Sequence, residues 1–342
     1  MFMFILRRFG TILLTMLCLT LVVFYMVNLD ANLEKLAKTQ GSMRMTDEEV
    51  ARWIDNNGYG GSMLTRYGEW LGVVPGWRKE IDGRTVGKCI EKGMEVADAP
   101  EYCGVIQGNF GYSLRLQKPV GEVLPQYLGY TGILMFWVMM VMVPGALIIG
   151  VLAGMREGST LDRSLSVASI TSTSAPEYVT GIVFTVIFAS SLGILKGIAS
   201  TRSITIENFT LPVMTMAIYG IGYIARMTRA SMAEVMTSQY IRTARLKGLE
   251  FRQVVLKHAL RNALIAPFTV IMLQFPWLLT GVVIVESMFN YKGFGWLLVR
   301  AAENNDIDLL LACSCVAVVV VLLTQLISDI GYAYLNPRIR VS

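Results

Sequence analysis

Long stretches without charged side chains limit the folds open to this chain more than any other feature. A helix needs about 20 apolar residues to cross a hydrocarbon core of about 30 Å. With 54% hydrophobic and 16% charged residues, the chain is too apolar for an ordinary soluble domain. The sequence therefore predicts an all-α polytopic membrane protein. Its six predicted transmembrane helices lie in residues 9–29, 123–155, 164–195 (interrupted only by Glu177), 208–225, 262–285 and 309–328.

Lysine and arginine are unevenly distributed between the two sides that six spans would define. Both termini fall on one side, and that side carries fourteen basic residues, eight of them within 226–261. The short loops of the opposite side carry four: Lys196, Arg202, Lys292 and Arg300. Because basic residues are retained in the cytoplasm, both termini and the 226–261 loop are predicted to be cytoplasmic.

Three regions follow from this arrangement. Residues 1–29 form an N-terminal anchor helix, residues 30–122 an external α-rich loop domain of mixed charge, and residues 123–342 a five-helix core. Thr46 is a predicted N-cap, with Glu49 completing a capping box before an amphipathic helix.

Two of the five cysteines, Cys89 and Cys103, lie in the external segment. Exported thiols tend to pair, so a disulfide is expected between them, with two unpaired thiols as the alternative. In the chain-entropy model, closing a loop of this length stabilises the fold by about 3 kcal/mol.

Catalytic and metal chemistry have few candidates in this sequence. His258 is the chain's one histidine, which excludes a two-histidine metal site, and no acidic residue lies near it in sequence to complete a triad. Residues 83–89 resemble a phosphate-binding loop but have three residues between the glycines, and Cys89 stands where Ser or Thr should hold magnesium. We therefore expect no enzyme activity, no metal and no bound cofactor, and the small net charge of +5 does not indicate nucleic-acid binding.

The segment 231–262 is too polar to span a membrane and is predicted to form a helix, a turn and a second helix. Gly248 can adopt the left-handed conformation that ends the first helix, and Arg245 and Lys247 complement that helix end. Phe251, Val254, Val255 and His258 follow at helical spacing and form a stripe suited to a groove on a partner. A solvated basic loop remains the alternative.

The same segment resembles the EAA loop of ABC-importer permeases of the dipeptide, oligopeptide and nickel class. The resemblance covers residues 1–72 and 106–342, so residues 73–105 are an insertion relative to that class. Arg242 replaces the Glu of the general importer motif, as it does in this subclass. The matching positions are Tyr240, Arg242, Thr243, Ala244, Arg245, Lys247, Gly248, His258, Ala259, Leu260, Arg261, Asn262, Ala263 and Leu264.

The resemblance implies a pore subunit in the inner membrane that imports peptides, with nickel or another small solute as an alternative cargo. It implies a second homologous permease, two ABC ATPases that use ATP and magnesium, and an extracytoplasmic substrate-binding protein. An ATPase would dock on the coupling loop, and Gly248 would act as its hinge. The rival hypothesis is an ion-driven secondary transporter, although no inverted repeat is evident.

Two acidic residues in apolar stretches have competing interpretations. Glu177 lies either at the cytoplasmic interface, if a span begins near Pro176, or on the pore wall, where it could meet a peptide amine. Glu286 poses the same choice at the outer end of the fifth span. Ala146, Gly150 and Gly154 form a face of small residues that indicates helix packing.

Overall fold

The computed structural model describes residues 2–81, 83–90 and 94–335, and these are predominantly helical. They form two compact units. One centres on Leu128–Trp296 with segments near both chain ends, and the other consists of Phe9–Tyr127 and Leu297–Val319. The helices are α1 Phe2–Val27, α2 Asp30–Gln40, α3 Asp47–Asn56, α4 Met63–Leu71, α5 Val120–Gly154, α6 Thr160–Ser174, α7 Glu177–Phe184, α8 Ile206–Met236, α9 Gln239–Leu246, α10 Phe251–Gln253, α11 Leu260–Ala263, α12 Ile265–Met288, α13 Phe294–Glu303 and α14 Ile307–Leu335.

Four of the described helices are long and apolar enough to cross a membrane. They are Leu6–Val27, Val120–Gly154, Ile206–Met236 and Ile307–Gly331, and a fifth candidate is the pair Phe251–Ala263 and Ile265–Leu279, which bends by 50°. The predicted span 164–195 is divided at Ala175 and Pro176, both of which have extended backbone, into α6 and the 15-residue apolar helix Glu177–Ser191. Proline lacks the N–H that would continue α6, and it disfavours helical backbone in the residue before it. A count of six spans thus stays a prediction.

Helix α8 lies at the centre of the first unit. A Cβ atom on Gly150 would lie 2.6 Å from the carbonyl oxygen of Ala225, and one on Gly154 would lie 2.5 Å from that of Arg229. The backbones of α5 and α8 therefore approach so closely that only glycine fits, which confirms the packing role predicted for these small residues. On its other sides α8 packs against α6, α7 and α12.

The second unit has a helical core and two short hairpins. Thr46 Oγ1 accepts from Glu49 N and Glu49 Oε2 accepts from Thr46 N at 2.8 Å, so the predicted capping box of α3 is confirmed. Phe24 is buried with Leu33, Trp70 and Leu311, which explains why this unit includes residues from α1 and α14 and not residues 30–122 alone.

The segment 73–105, the predicted insertion, contains a strand pair that the sequence did not predict. Strands β1 (Arg78–Ile81) and β2 (Arg84–Gly87) pair antiparallel, and a second short pair, β3 (Tyr112–Ser113) and β4 (Lys118–Pro119), follows the insertion. A disulfide joins Cys89 to Cys103, with 5.5 Å between their Cα atoms. Next to this disulfide, burial lowers the pKa of Lys88 to about 8, although Asp308 and Glu69 oppose the shift.

Candidate coupling loop and buried carboxylates

The turn of the 231–262 segment forms where glycine was expected. Gly248 follows α9 with φ +76°, while Leu249 N donates to Ala244 O and Gly248 N donates to Arg245 O. These two hydrogen bonds define a Schellman motif, in which a left-handed residue satisfies the last carbonyls of a helix. The predicted conformation of Gly248 is confirmed.

The segment has two helical arms, α9 before the turn at Gly248 and the run from α10 to α11 after it. The second arm is a continuous but irregular helix. α10 leads into a π-helical turn at Val254–Ala259 and then into α11, before the chain bends into α12. Asn262 Nδ2 donates to Tyr240 Oη at 2.9 Å, and Ser231 Oγ donates to Ala263 O at 2.9 Å. Two side chains of the predicted motif therefore join the two arms to each other, and Ser231 joins the second arm to α8.

The apolar stripe of the second helix was predicted to enter a groove on a partner. This prediction is wrong for two of its four residues, because they are buried within the chain. Val254 and Val255 are buried, whereas Phe251 and His258 are exposed. The second arm folds back on α8 and α9, which gives its apolar positions a partner within the chain. The two valines belong to a cluster with Met232, Met236, Ile241, Ala244, Ala259 and Ala263.

The exposed side chains of the segment include leucines that the sequence analysis missed. Leu246 is 81% exposed and Leu256 is 52% exposed, and Leu249 is exposed to a smaller extent, as is Phe251 of the predicted stripe. Six basic residues of the same segment are also exposed, and together with these apolar residues we call them the coupling face: Arg242, Arg245, Lys247, Arg252, Lys257 and Arg261. Thr243 is also exposed, whereas Ala244 is buried beneath this face. A signal was present, because leucines within a basic segment do not fit a merely solvated loop.

The turn between α5 and α6 contacts the segment. The Arg156 guanidinium lies 5.3 Å from the centroid of the Phe251 ring, a cation–π contact at the first residue of α10. Nearby, Arg229 of α8 binds Asp162 of α6 through two hydrogen bonds of 2.8 and 2.9 Å. These hydrogen bonds from Arg229 are the main reason why the pKa of Asp162 lies well below its usual range.

Glu286 is fully buried within the chain and does not face a pore, which contradicts the pore-wall interpretation of this residue. Thr131 Oγ1 donates to Glu286 Oε1 at 2.5 Å, and Trp296 N donates to Glu286 Oε2 at 3.0 Å. Gly293 lies directly against the carboxylate, where a Cβ atom would collide with it, and a Cβ atom on Gly295 would lie 3.1 Å from Oε2 and 2.6 Å from Val283 Cα. The carboxylate thus joins α5, α12 and the start of α13.

Glu177 differs in both position and partners. It begins α7 immediately after the break in the third predicted span, and Oε2 is buried without a hydrogen-bond partner among the described residues. A Cβ atom at Gly281 would lie 2.6 Å from this oxygen. Gly281 lies inside the charge-free stretch 262–285. Because Glu177 lies next to Gly281, it is not at the cytoplasmic interface, as its first interpretation assumed.

Acidic and thiol side chains do not gather into a metal site in the described part of the chain. No group of three or more His, Cys, Asp or Glu residues lies within ligating reach of one ion there.

Comparisons with known proteins identify the family. Residues 146–341 match the family described as binding-protein-dependent transport system inner membrane component. The chain is 30% identical over 260 residues to the dipeptide transport system permease protein DppB of Haemophilus influenzae, covering 69% of this chain and 78% of the relative. It is 34% identical over 236 residues to the glutathione transport system permease protein GsiC of Salmonella typhimurium, covering 69% and 76%.

A solved structure described as an amino acid ABC transporter with histidines overlaps 63% of this chain and 93% of its own, at 15% identity and a TM-score of 0.47. The family match extends over more than half of the chain and includes the whole segment from α8 to α12. The chain belongs to the family of binding-protein-dependent transport system inner membrane components.

Proposed function

We propose that this chain is a pore-forming permease subunit of an ATP-driven importer of peptides, with six spans and both termini in the cytoplasm. The family membership supports a transport role, and relatives named as dipeptide and glutathione permeases support a peptide cargo. The excess of basic residues in 226–261 supports the orientation.

The coupling face is the observation that carries the ATP-driven part of this proposal. Exposed leucines among exposed basic side chains of one segment form a surface that a partner with apolar and acidic side chains would cover. An ABC ATPase holding ATP and magnesium is the proposed partner, one on this chain and one on a second homologous permease. An extracytoplasmic binding protein would deliver the cargo from the other side.

Movement of the docked ATPases would reach the spans through the segment itself. The buried cluster around Val254 and Val255 joins the second arm to Met232 and Met236 of α8, so a displacement of the arm must also move α8. The 50° bend between α11 and α12 then changes the direction of this movement at the start of the next apolar helix. Alternating access would follow from rigid helices moved at one end.

Purification of the tagged chain from its native membranes tests this proposal. We expect an ABC ATPase and a second permease to copurify, and Leu246→Asp to release the ATPase while retaining the second permease. Met43→Asp is the matched control, since Met43 is 82% exposed and lies in the predicted external domain. ATP-independent uptake by the purified chain alone would overturn the proposal.

A further inference from the structure

The carboxylate of Glu177 has no role in the transport scheme above. It is the single charge in the apolar stretch 164–195. Burying a carboxylate among apolar helices is costly unless it has hydrogen-bond or ionic partners. Glu177 has no hydrogen-bond partner among the described residues for its buried oxygen Oε2.

Neighbouring helices place Glu177 away from the ends of the apolar stretches. Ser169 of α6 packs against Gly222, and Gly181 of α7 packs against Thr215, so Glu177 lies level with α8 residues between 215 and 222. That part of α8 is inside the charge-free stretch 208–225. On α12, Gly281 is about 24 Å of helix from Ile265 and about 10 Å from Met288, at about 1.5 Å per residue.

The break before α7 and the glycine on α12 together make room for the carboxylate. Glu177 is the first residue of α7, where the positive end of the helix dipole favours its ionised form. Gly281 leaves space on α12 that any larger side chain would fill. The side chain as a whole is only partly buried, so it is not sealed within the chain.

We infer that Glu177 forms an anionic subsite in the translocation path that binds the protonated amino terminus of a peptide. This inference rests on the proposed peptide import. A peptide α-amino group has a pKa of about 8, so it is mostly a cation at neutral pH. An ammonium supplies three donors and a positive charge, which satisfies both needs of the carboxylate.

Uptake of two probe peptides into proteoliposomes tests the subsite. The liposomes hold the transporter assembled on this chain with its ATPases and binding protein, and the probes are tri-alanine and N-acetyl-tri-alanine. We expect Glu177→Gln to lower tri-alanine uptake about 10-fold, as for loss of one charge-assisted hydrogen bond. Uptake of the acetylated peptide should change less than about twofold, since it lacks the ammonium. Glu207→Gln is the matched control, because Glu207 is an exposed carboxylate paired with Lys196.

Chemical protection gives a second readout that does not depend on transport. Dicyclohexylcarbodiimide should modify Glu177 in the assembled wild-type transporter, and tri-alanine should slow the modification while the acetylated peptide should not. Modification at an unchanged rate in tri-alanine would overturn the subsite. No modification even without peptide would also overturn it, because the carboxylate would then be closed to a ligand.

The result also separates the subsite from the proposed function. If the wild-type transporter moves neither peptide, the peptide function fails and the subsite fails with it. If it moves tri-alanine and Glu177→Gln moves it equally well, the subsite alone is overturned.

Discussion

Glu177 and Glu286 are two carboxylates in apolar helices of the same unit, but they differ in burial and in hydrogen-bond partners. Glu286 is fully buried and accepts hydrogen bonds from Thr131 and from the backbone N–H of Trp296. Glu177 is partly exposed, and its buried oxygen has no such donor among the described residues. A carboxylate with donors inside its own chain stabilises the fold, whereas one without them is available to a ligand.

Removing the carboxylate of Glu286 should have the largest effect on stability. Glu286→Leu leaves Thr131 Oγ1 and the Trp296 N–H without their acceptor, at about 1–3 kcal/mol per buried group. We expect a loss of about 3 kcal/mol and a thermal midpoint lower by about 6–12 °C in detergent. Glu177→Leu should shift the midpoint by less than about 2 °C, because no donor among the described residues loses a partner. Equal shifts for the two variants would remove the distinction between the sites.

Asp162 extends the comparison to a carboxylate held by a charged partner. Asp162→Asn removes the negative charge and one of the two oxygens that accept from Arg229, which then has an ion pair only with Glu157 at 3.5 Å. Because Arg229 is about one-third exposed, we expect a loss of about 2 kcal/mol, less than for a fully buried pair. Glu157→Gln is the matched control on the same guanidinium, and its thermal midpoint should be nearly unchanged.

The same pair predicts a pH dependence with a definite sign. The folded-state pKa of Asp162 is depressed, so its contribution is present above the unfolded pKa of about 3.9 and is lost as the pH falls below it. The wild type should therefore lose more thermal stability than Asp162→Asn between pH 5 and about 3. Parallel losses in the two proteins would show that the ion pair contributes nothing.

The sequence predicted local features well because each depends on a few neighbouring residues. The capping box at Thr46, the left-handed turn at Gly248 and the packing of Gly150 on α8 need only a short pattern. The difference between Glu177 and Glu286 was not predictable in this way. It depends on Thr131 and Gly281, which are more than 100 residues distant along the chain from the carboxylates they contact.

The prediction that the apolar stripe of the coupling segment faces a partner failed for a related reason. Val254 and Val255 were correctly identified as the apolar stripe, but α8 and α9 of the same chain cover that stripe. Helical periodicity shows that one face is apolar and leaves open whether its partner lies within the chain. The β1–β2 pair was missed because its strands are four residues long and mostly polar.

Gly248 tests whether the coupling loop, like Glu177, matters more for function than for stability. Gly248→Val forces a β-branched side chain into φ +76°, at a cost of about 1–2 kcal/mol, in open space where nothing else would collide. We expect expression to persist and uptake per ATP hydrolysed to fall. Gly193→Val carries the same strain at φ +64°, also in open space, and should leave coupling intact. Unchanged uptake by Gly248→Val would refute the role of this turn.

Loss of the contact between Arg156 and Phe251 should have the smallest effect on stability. Phe251 also belongs to the coupling face, so this contact tests stability and function at the same residue. A partly exposed cation–π contact contributes about 0.5–1 kcal/mol. In a double-mutant cycle of Arg156→Ala and Phe251→Leu, we expect a coupling energy in thermal stability within this range. Arg163→Ala is the matched control: Arg163 lies in the first turn of α6 and forms no described contact with Phe251, so it should show additive behaviour with Phe251→Leu. If Arg156 also positions α10 for docking, Arg156→Ala should weaken ATPase copurification, while Arg156→Lys, which retains the cation, should restore most of it. Full additivity of Arg156 with Phe251 would show that the α5–α6 turn and the coupling segment are energetically independent.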